Sequence, residues 1–233
     1  MLNLELNPQK IVVFTGAGMS APSGLATFRD NGGLWHQHRV EDVATPEAFA
    51  RQPELVLDFY NERRTAACAA LPNAGHRAIA ELERSYQVVV VTQNVDDLHE
   101  RAGSTRVIHV HGELTKARST LDPALIFDIG DKPIRLGDRC PKGGQLRPHI
   151  VWFGENVMRM EEAVAHFLDA AKVLVVGTSL SVFPAAGLVE YAHSEAEKVL
   201  VDREIHRRPE GFRVLQGSAD AVLPSLVRDW CTD

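Results

Sequence analysis

His109 and His111, in the run VIHVHG (107–112), are two residues apart, the spacing that puts both side chains on one face of an extended strand. An imidazole titrates near neutrality, so a histidine here can take up and return a proton in a reaction run at ordinary pH. Far upstream, TGAGMSA (15–21) places Gly16, Gly18 and Ala21 in the G-x-G-x-x-G/A pattern directly after an apolar run. Glycines in that pattern allow a tight turn and a close approach of backbone to a pyrophosphate, and Ser20 adds a hydroxyl. A third group, Gln93, Asn94, Val95 and Asp96, follows another apolar run, where the carboxamides and carboxylate could meet a ligand at a strand end. In PELVLDFYNERR (53–64), Tyr60 and Arg63 are three apart and share a helix face, so a phenol and a guanidinium could grip one carboxylate.

Each group also has an ordinary reading. The glycines suit any Gly-rich turn, Asp96 suits a helix N-cap, and Tyr60 with Arg63 suits a charged helix face with a half-buried ring. One confirmation of a dinucleotide site is missing. The acids about 20 positions beyond the glycines, Glu41 and Asp42, do not follow a second strand.

The elements that must position these groups read as buried parallel strands: KIVVF (10–14), QVVVV (87–91), RVIHVH (106–111), KVLVV (172–176), KVLV (198–201) and FRVLQG (212–217). Helical stretches are expected at 73–86, 159–171 and 184–197, and the alternation argues a doubly wound α/β fold. Residues 31–72 and 113–150 do not join it. The expectation is therefore a mostly parallel, Rossmann-like sheet built from 1–30, 73–112 and 151–233, with 31–72 and 113–150 forming a smaller inserted domain. The active site is expected in the cleft between them.

The 233 residues are 45% hydrophobic, enough for a sizeable core. A net charge of −6 gives no basic surface for nucleic acid. No apolar run reaches the roughly 18–20 residues of a membrane span, and the N-terminus lacks the pattern of a signal peptide. Three cysteines, far apart, do not make a disulfide framework. A cytoplasmic monomer, with no membrane or nucleic-acid partner, is the expectation.

Five stretches together resemble the sirtuins, NAD-dependent protein-lysine deacylases: GAGMSAPSGLATFRDNGGLW (16–35), TQNVDDLHERAG (92–103), VIHVHGEL (107–114), LRPHIVWFGE (146–155) and VVGTSLSVFPAAGL (175–188). They fall in the family's order and span nearly the whole chain, with a look of bacterial members of the class that removes acidic acyl groups. The resemblance implies that Gly16, Ala17, Gly18, Ser20, Thr27, Phe28, Arg29 and Trp35 hold NAD, with a Gly-rich cofactor loop from Gly24 to Trp35. It adds Gln93, Asn94, Val95, Asp96, Gly177, Thr178, Ser179, Asp202, Arg203, Glu204 and Ala219 to the cofactor contacts. His111 matches the family's catalytic base, and Asn94 is grouped with it as catalytic. Val151, Phe153, Gly154, Glu155 and Val182 would flank an acyl-lysine peptide clamped as an added strand, with Phe153 walling the lysine tunnel. Tyr60 and Arg63 match the pair that receives succinyl or malonyl chains, Arg64 remaining a register neighbour. The implied products are nicotinamide, free lysine and O-acyl-ADP-ribose.

Two departures stand out. Most sirtuins hold a structural zinc through two cysteine pairs, but between HGEL and LRPH this chain has only Cys140, with Ser119 where a cysteine is expected. Structural zinc takes four ligands, so no zinc is expected. Asp202 stands where the family usually has Asn; a carboxylate there can still accept from ribose hydroxyls. Two other readings share the same residues: a mono-ADP-ribosyltransferase and a non-catalytic NAD sensor. His111 with the VWFGE segment argues against the first, and intact His111 and Asn94 against the second.

Overall fold

The computed structural model describes residues 5–27 and 39–232. Six strands form one sheet: β1 (Asn7–Thr15), β2 (Gln87–Thr92), β3 (Val107–His109), β7 (Ala170–Val176), β8 (Glu197–Asp202) and β9 (Arg213–Gln216). Their order is β3-β2-β1-β7-β8-β9, and every neighbouring pair is parallel. A parallel sheet needs both faces covered, which explains why its strands read as unbroken apolar runs. Val12, Phe14, Val89, Val91, Val173 and Val175 pack on one face against Phe167, from the helix Met160–Asp169, and Leu188. Ile11, Val13, Val88, Val90, Leu174 and Val176 pack on the other against Ile79, from the helix Ala74–Glu81, and Leu223, Leu226 and Trp230, from the helix Ala219–Thr232.

A second sheet of three antiparallel strands, β4 (Gly112–Ser119), β5 (Ile126–Asp128) and β6 (Leu146–Ile150), is ordered β5-β4-β6. The helix Pro53–Ala69 packs against it through Leu57, which meets Ala117 and Ile134, while Val56, Phe59 and Tyr60 meet Leu114, Ile150 and Trp152. The two stretches outside the strand–helix alternation thus pack on each other.

Three local expectations change. The stretch 184–197 holds a 3-10 helix, Ala185–Tyr191, followed by turns, because Pro184 fixes its start and Gly187 weakens its middle. The stretch 73–86 is helical to Glu81 and then tightens to 3-10. The C-terminal helix Ala219–Thr232 has no counterpart in the sequence reading. Among the described residues, no helix is long and apolar enough to cross a membrane.

Candidate active site

With β2 and β3 on one side of β1 and β7, β8 and β9 on the other, the order reverses between β1 and β7, and ligands of such sheets bind at the carboxyl ends there. The two loops leaving those ends interlock. The Gly16 N–H donates to Val176 O (3.0 Å) and the Gly18 N–H to Gly177 O (2.9 Å). A Cβ on Gly18 would sit 2.7 Å from Gly177 Cα, and one on Gly16 would sit 2.8 Å from Gly177 O. Gly177 has φ +61°, and its own Cβ would fall 2.3 Å from Met19 N. The glycines therefore serve loop-to-loop contact as well as any approach of a phosphate. The β1 loop runs on into two short 3-10 turns, Ala17–Met19 and Ala21–Ser23.

A cavity of about 1280 Å³ opens over this junction. Gly16, Ala17, Gly18, Thr27, Gln93, Asn94, Val95, Gly177, Thr178 and Ser179 wall it, with Asp202, Arg203 and Glu204 from the end of β8. His111, Tyr60, Arg63, Val151, Phe153 and Val182 complete the wall. A second cleft, about 430 Å³, lies around Lys10, Gln87 and Arg106 where β1 and β2 begin, and contains none of these residues.

The two histidines hold consecutive carbonyls. His111 Nδ1 is 3.2 Å from Gln93 O and His109 Nδ1 is 3.0 Å from Asn94 O. A carbonyl only accepts, so both Nδ1 atoms carry hydrogens. For neutral His111 this leaves Nε2 as the basic nitrogen. Burial lowers the His111 pKa, outweighing the bond to Gln93 O, and so favours that neutral form. His109 goes the other way. Burial opposes its charge, but its Nε2 meets Glu100 Oε1 at 2.8 Å, and the bond and charge of that carboxylate raise its pKa. One strand end thus carries a buried histidine whose charged form is favoured by Glu100 and, two residues on, a histidine at the cavity whose neutral form is favoured by burial.

Asn94 is fixed at three points. Its N–H donates to Thr92 Oγ1 (3.0 Å), its Nδ2 donates to Ser20 Oγ (3.1 Å), and its carbonyl takes the His109 bond. Asp96 is buried behind it, accepting from the Leu98 N–H (3.2 Å), and burial raises its pKa. Below lies a further buried chain: His99 Nε2 is 3.1 Å from Thr15 Oγ1, which donates to Thr92 Oγ1 at 2.8 Å.

On the helix Pro53–Ala69 the register is unambiguous. Arg63 reaches the cavity, its guanidinium 5.5 Å from the Tyr60 ring centroid. Arg64 is buried the other way, its Nε donating to Leu114 O (2.6 Å) and its Nη1 to Asn61 Oδ1 (2.6 Å). Tyr60 is 2% exposed, and burial raises its pKa against the pull of Arg63, so the phenol keeps its proton.

Several expected contacts stand behind the cavity wall. Ser20 and Asp96 are buried beneath Asn94. Ala219 is buried at the start of the last helix, its carbonyl packed at Gly75. Gly154 takes the turn at φ +90° and does not wall the cavity. Glu155, expected at the peptide, is not among the residues that wall the cavity. Its carboxylate takes two bonds from Arg147 (2.6 and 3.0 Å), one from Arg118 (2.9 Å) and one from the Trp152 N–H (2.8 Å). Two buried cations and a backbone donor hold it more strongly than a solvent-facing position could. Phe28, Arg29 and Trp35 lie outside the described residues. Ile150, Leu180, Phe183, His206 and Arg207 also wall the cavity, and sequence reasoning missed them. Their placement at the end of β6 and after β7 and β8 was the available signal.

In the small sheet, Cys140 Sγ lies 3.2 Å from Ser119 Oγ, which also accepts from the Leu121 and Asp122 N–H groups. Lys142 pairs with Asp122 at 2.8 Å. Among the described residues, no group of three or more His, Cys, Asp or Glu side chains is placed to hold a metal ion. A tetrahedral zinc needs four ligands, so one thiol in this hydrogen-bonded knot does not fit it.

Comparison with known proteins gives one answer at each level. A profile of the Sir2 family matches residues 16–184. The NAD-dependent protein deacylase of Helicobacter pylori strain 26695 is 48% identical over 221 residues, covering 94% of this chain and 96% of that protein. The protein of the same name from Bacteroides thetaiotaomicron is 52% identical over 199 residues, covering 83% and 85%. A Sir2 homologue solved as a mutant with ADP-ribose superimposes with a TM-score of 0.88 at 38% identity, covering 96% of this chain and 92% of that one. Another, solved with NAD, gives 0.85 at 38% identity, covering 96% and 90%.

Proposed function

The chain belongs to the Sir2 family, the sirtuins, and from that premise we propose that it removes acetyl, succinyl and malonyl groups from protein lysines. It is an enzyme, an NAD-dependent protein deacylase, and NAD is its co-substrate. The residues fit that group: interlocked glycine loops at the switch point, hydroxyls of Thr178 and Ser179 beside them, and a carboxylate at Asp202 on the same wall. When bound, NAD would supply an electrophilic ribose carbon with nicotinamide as leaving group, and a ribose hydroxyl as acyl acceptor.

What the chain's own residues do follows from the geometry. His111 Nε2, basic and neutral, takes the proton of a hydroxyl in the cavity, and Gln93 O holds the ring by Nδ1. Asn94 presents its side chain to the cavity from a loop pinned by Thr92, Ser20 and His109. Val151 and Phe153 wall the lysine channel. Arg63 and the protonated Tyr60 offer a cation and an O–H to a terminal carboxylate. The product assigned is O-acyl-ADP-ribose. The small sheet works without zinc, its loops joined through Cys140, Ser119, Asp122 and Lys142. A cytoplasmic monomer acting on acylated proteins or peptides completes the reading.

The observation that carries this proposal is that His111 shares one cavity with Tyr60 and Arg63. Incubation with NAD and matched acetyl-, succinyl- and butyryl-lysine peptides, followed by mass spectrometry, tests it. O-acyl-ADP-ribose should form from the acetyl and succinyl peptides. Its absence with every peptide would end the deacylase reading, and ADP-ribose found on protein would support the transferase.

A further inference from the structure

The wall behind Tyr60 is built with unusual care for a residue that only packs. Trp152 is 2% exposed, with Tyr60 and Phe49 at ring-centroid distances of 6.3 and 5.3 Å. On its other side the Arg147 guanidinium lies 3.3 Å from the ring centroid. That guanidinium is held in turn by Glu155 and by Ile150 O (3.0 Å), and the Trp152 N–H is tied to Glu155. The indole therefore has almost no freedom. Yet its Nε1 is buried with no hydrogen-bond partner among the described residues. A buried N–H left unpaired is costly, so its aim is informative. The Trp152 indole acts on the Tyr60 phenol as a donor, lowering its pKa against the larger effect of burial, so this N–H faces the Tyr60 oxygen.

We infer that Trp152 is a positioning residue for Tyr60: its indole N–H engages a lone pair of the phenol oxygen and so directs the phenol O–H to the carboxylate of an acidic acyl chain. A phenol has one hydrogen to donate and accepts on the other side of its oxygen. A fixed donor on the accepting side leaves the O–H to point elsewhere, and Arg63, over the same ring, sets where the anion sits. The Arg147–Glu155 pair acts one step further back, by fixing the indole. Closing the Trp152 bond to the Tyr60 oxygen when the acyl carboxylate binds would also satisfy the orphaned N–H. The inference rests on the reading of Tyr60 and Arg63 given above.

The test compares kcat/KM for succinyl- and acetyl-lysine forms of one peptide. The proteins are the unmodified enzyme, Trp152→Phe, Tyr60→Phe, the double variant and Arg63→Met. Trp152→Phe keeps a ring and removes the N–H. It should lower the succinyl-to-acetyl ratio roughly fivefold to tenfold, the size expected for one hydrogen bond. Added to Tyr60→Phe, it should change the ratio no further, because the oxygen it acts through is gone. A merely structural role would lower both substrates alike, or lower the ratio equally in both backgrounds, and either result overturns the inference. If Arg63→Met lowers the ratio and Trp152→Phe does not, the role of Trp152 fails alone. If Arg63→Met leaves the ratio unchanged, the acidic-acyl reading falls and the inference with it.

Discussion

His109 and His111 differ by two positions and by opposite electrostatics, and the division of labour at this strand end follows from that. Removing the imidazole by His111→Ala should lower kcat by about 10²–10⁴, the usual worth of a positioned general base. Single-turnover deacylation would show it, and a loss below tenfold would remove His111 from the role of base. Because burial lowers its pKa, His111 stays competent below its ordinary value. The acid limb of kcat/KM should therefore fall below pH ~6.5. A limb centred above that value contradicts the assignment. The sequence reading put both histidines on one strand face, but the strand ends at His109 and His111 follows in a bend; the family resemblance picked out His111. The sequence could not show that the His109 pKa is raised. That depends on Glu100, nine positions away and brought near only by the short helix Leu98–Ala102. Glu155 teaches the converse: its place in VWFGE suggested the substrate, but Arg147 and Arg118 turn it inward.

At the scale of elements, the site depends on two loops that touch through glycine. Gly177→Ala puts a methyl group against the Gly18 and Met19 backbone and holds a non-glycine residue at φ +61°. It should cost about 2–4 kcal/mol of stability and weaken NAD binding, measured by denaturant unfolding and calorimetric titration. An alanine variant as stable as the parent would mean that the interlock is looser than described. The six parallel strands were legible because both faces are buried, so each reads as a continuous apolar run. The antiparallel sheet was not. Its strands carry Lys116, Arg118 and Arg147, whose charges are answered by Glu113 and Glu155, and such partners are invisible to a search for apolar periodicity. The C-terminal helix was passed over in the same reading although its apolar side covers one face of the main sheet, and Pro224 interrupts its pattern.

For the whole molecule, the balance of histidines sets the response to acid. His76 and His149 are lowered to about 4 by burial, His99 lies well below its ordinary value for the same reason, and only His109 among the described residues is raised. A lowered histidine binds its proton in the unfolded chain near pH 6.5 but not in the folded one until lower pH. Stability therefore falls as pH drops from about 6.5 towards 4, by up to about 1.4 kcal/mol per pH unit for each fully buried ring. His109 counters this, whereas Glu100 adds to the loss at lower pH. The raised His109 contributes fully below pH ~6.5 and is lost as pH rises through its folded value; the lowered Glu100 contributes above its ordinary range and is lost in stronger acid. Urea unfolding at pH 7.5 and 5 should show the net loss, and equal or greater stability at pH 5 would contradict it. Chelation should leave the melting temperature unchanged, since one thiol cannot replace a four-ligand zinc site; a shift of several degrees with stoichiometric zinc released would restore the metal. The central claim is that this Sir2 enzyme reads an acidic acyl chain through Tyr60 and Arg63. The most direct measurement is kcat/KM with NAD on succinyl- and acetyl-lysine forms of one peptide, before and after Arg63→Met. The account predicts that both peptides are substrates and that the substitution lowers desuccinylation at least tenfold more than deacetylation; equal losses on the two peptides would contradict it.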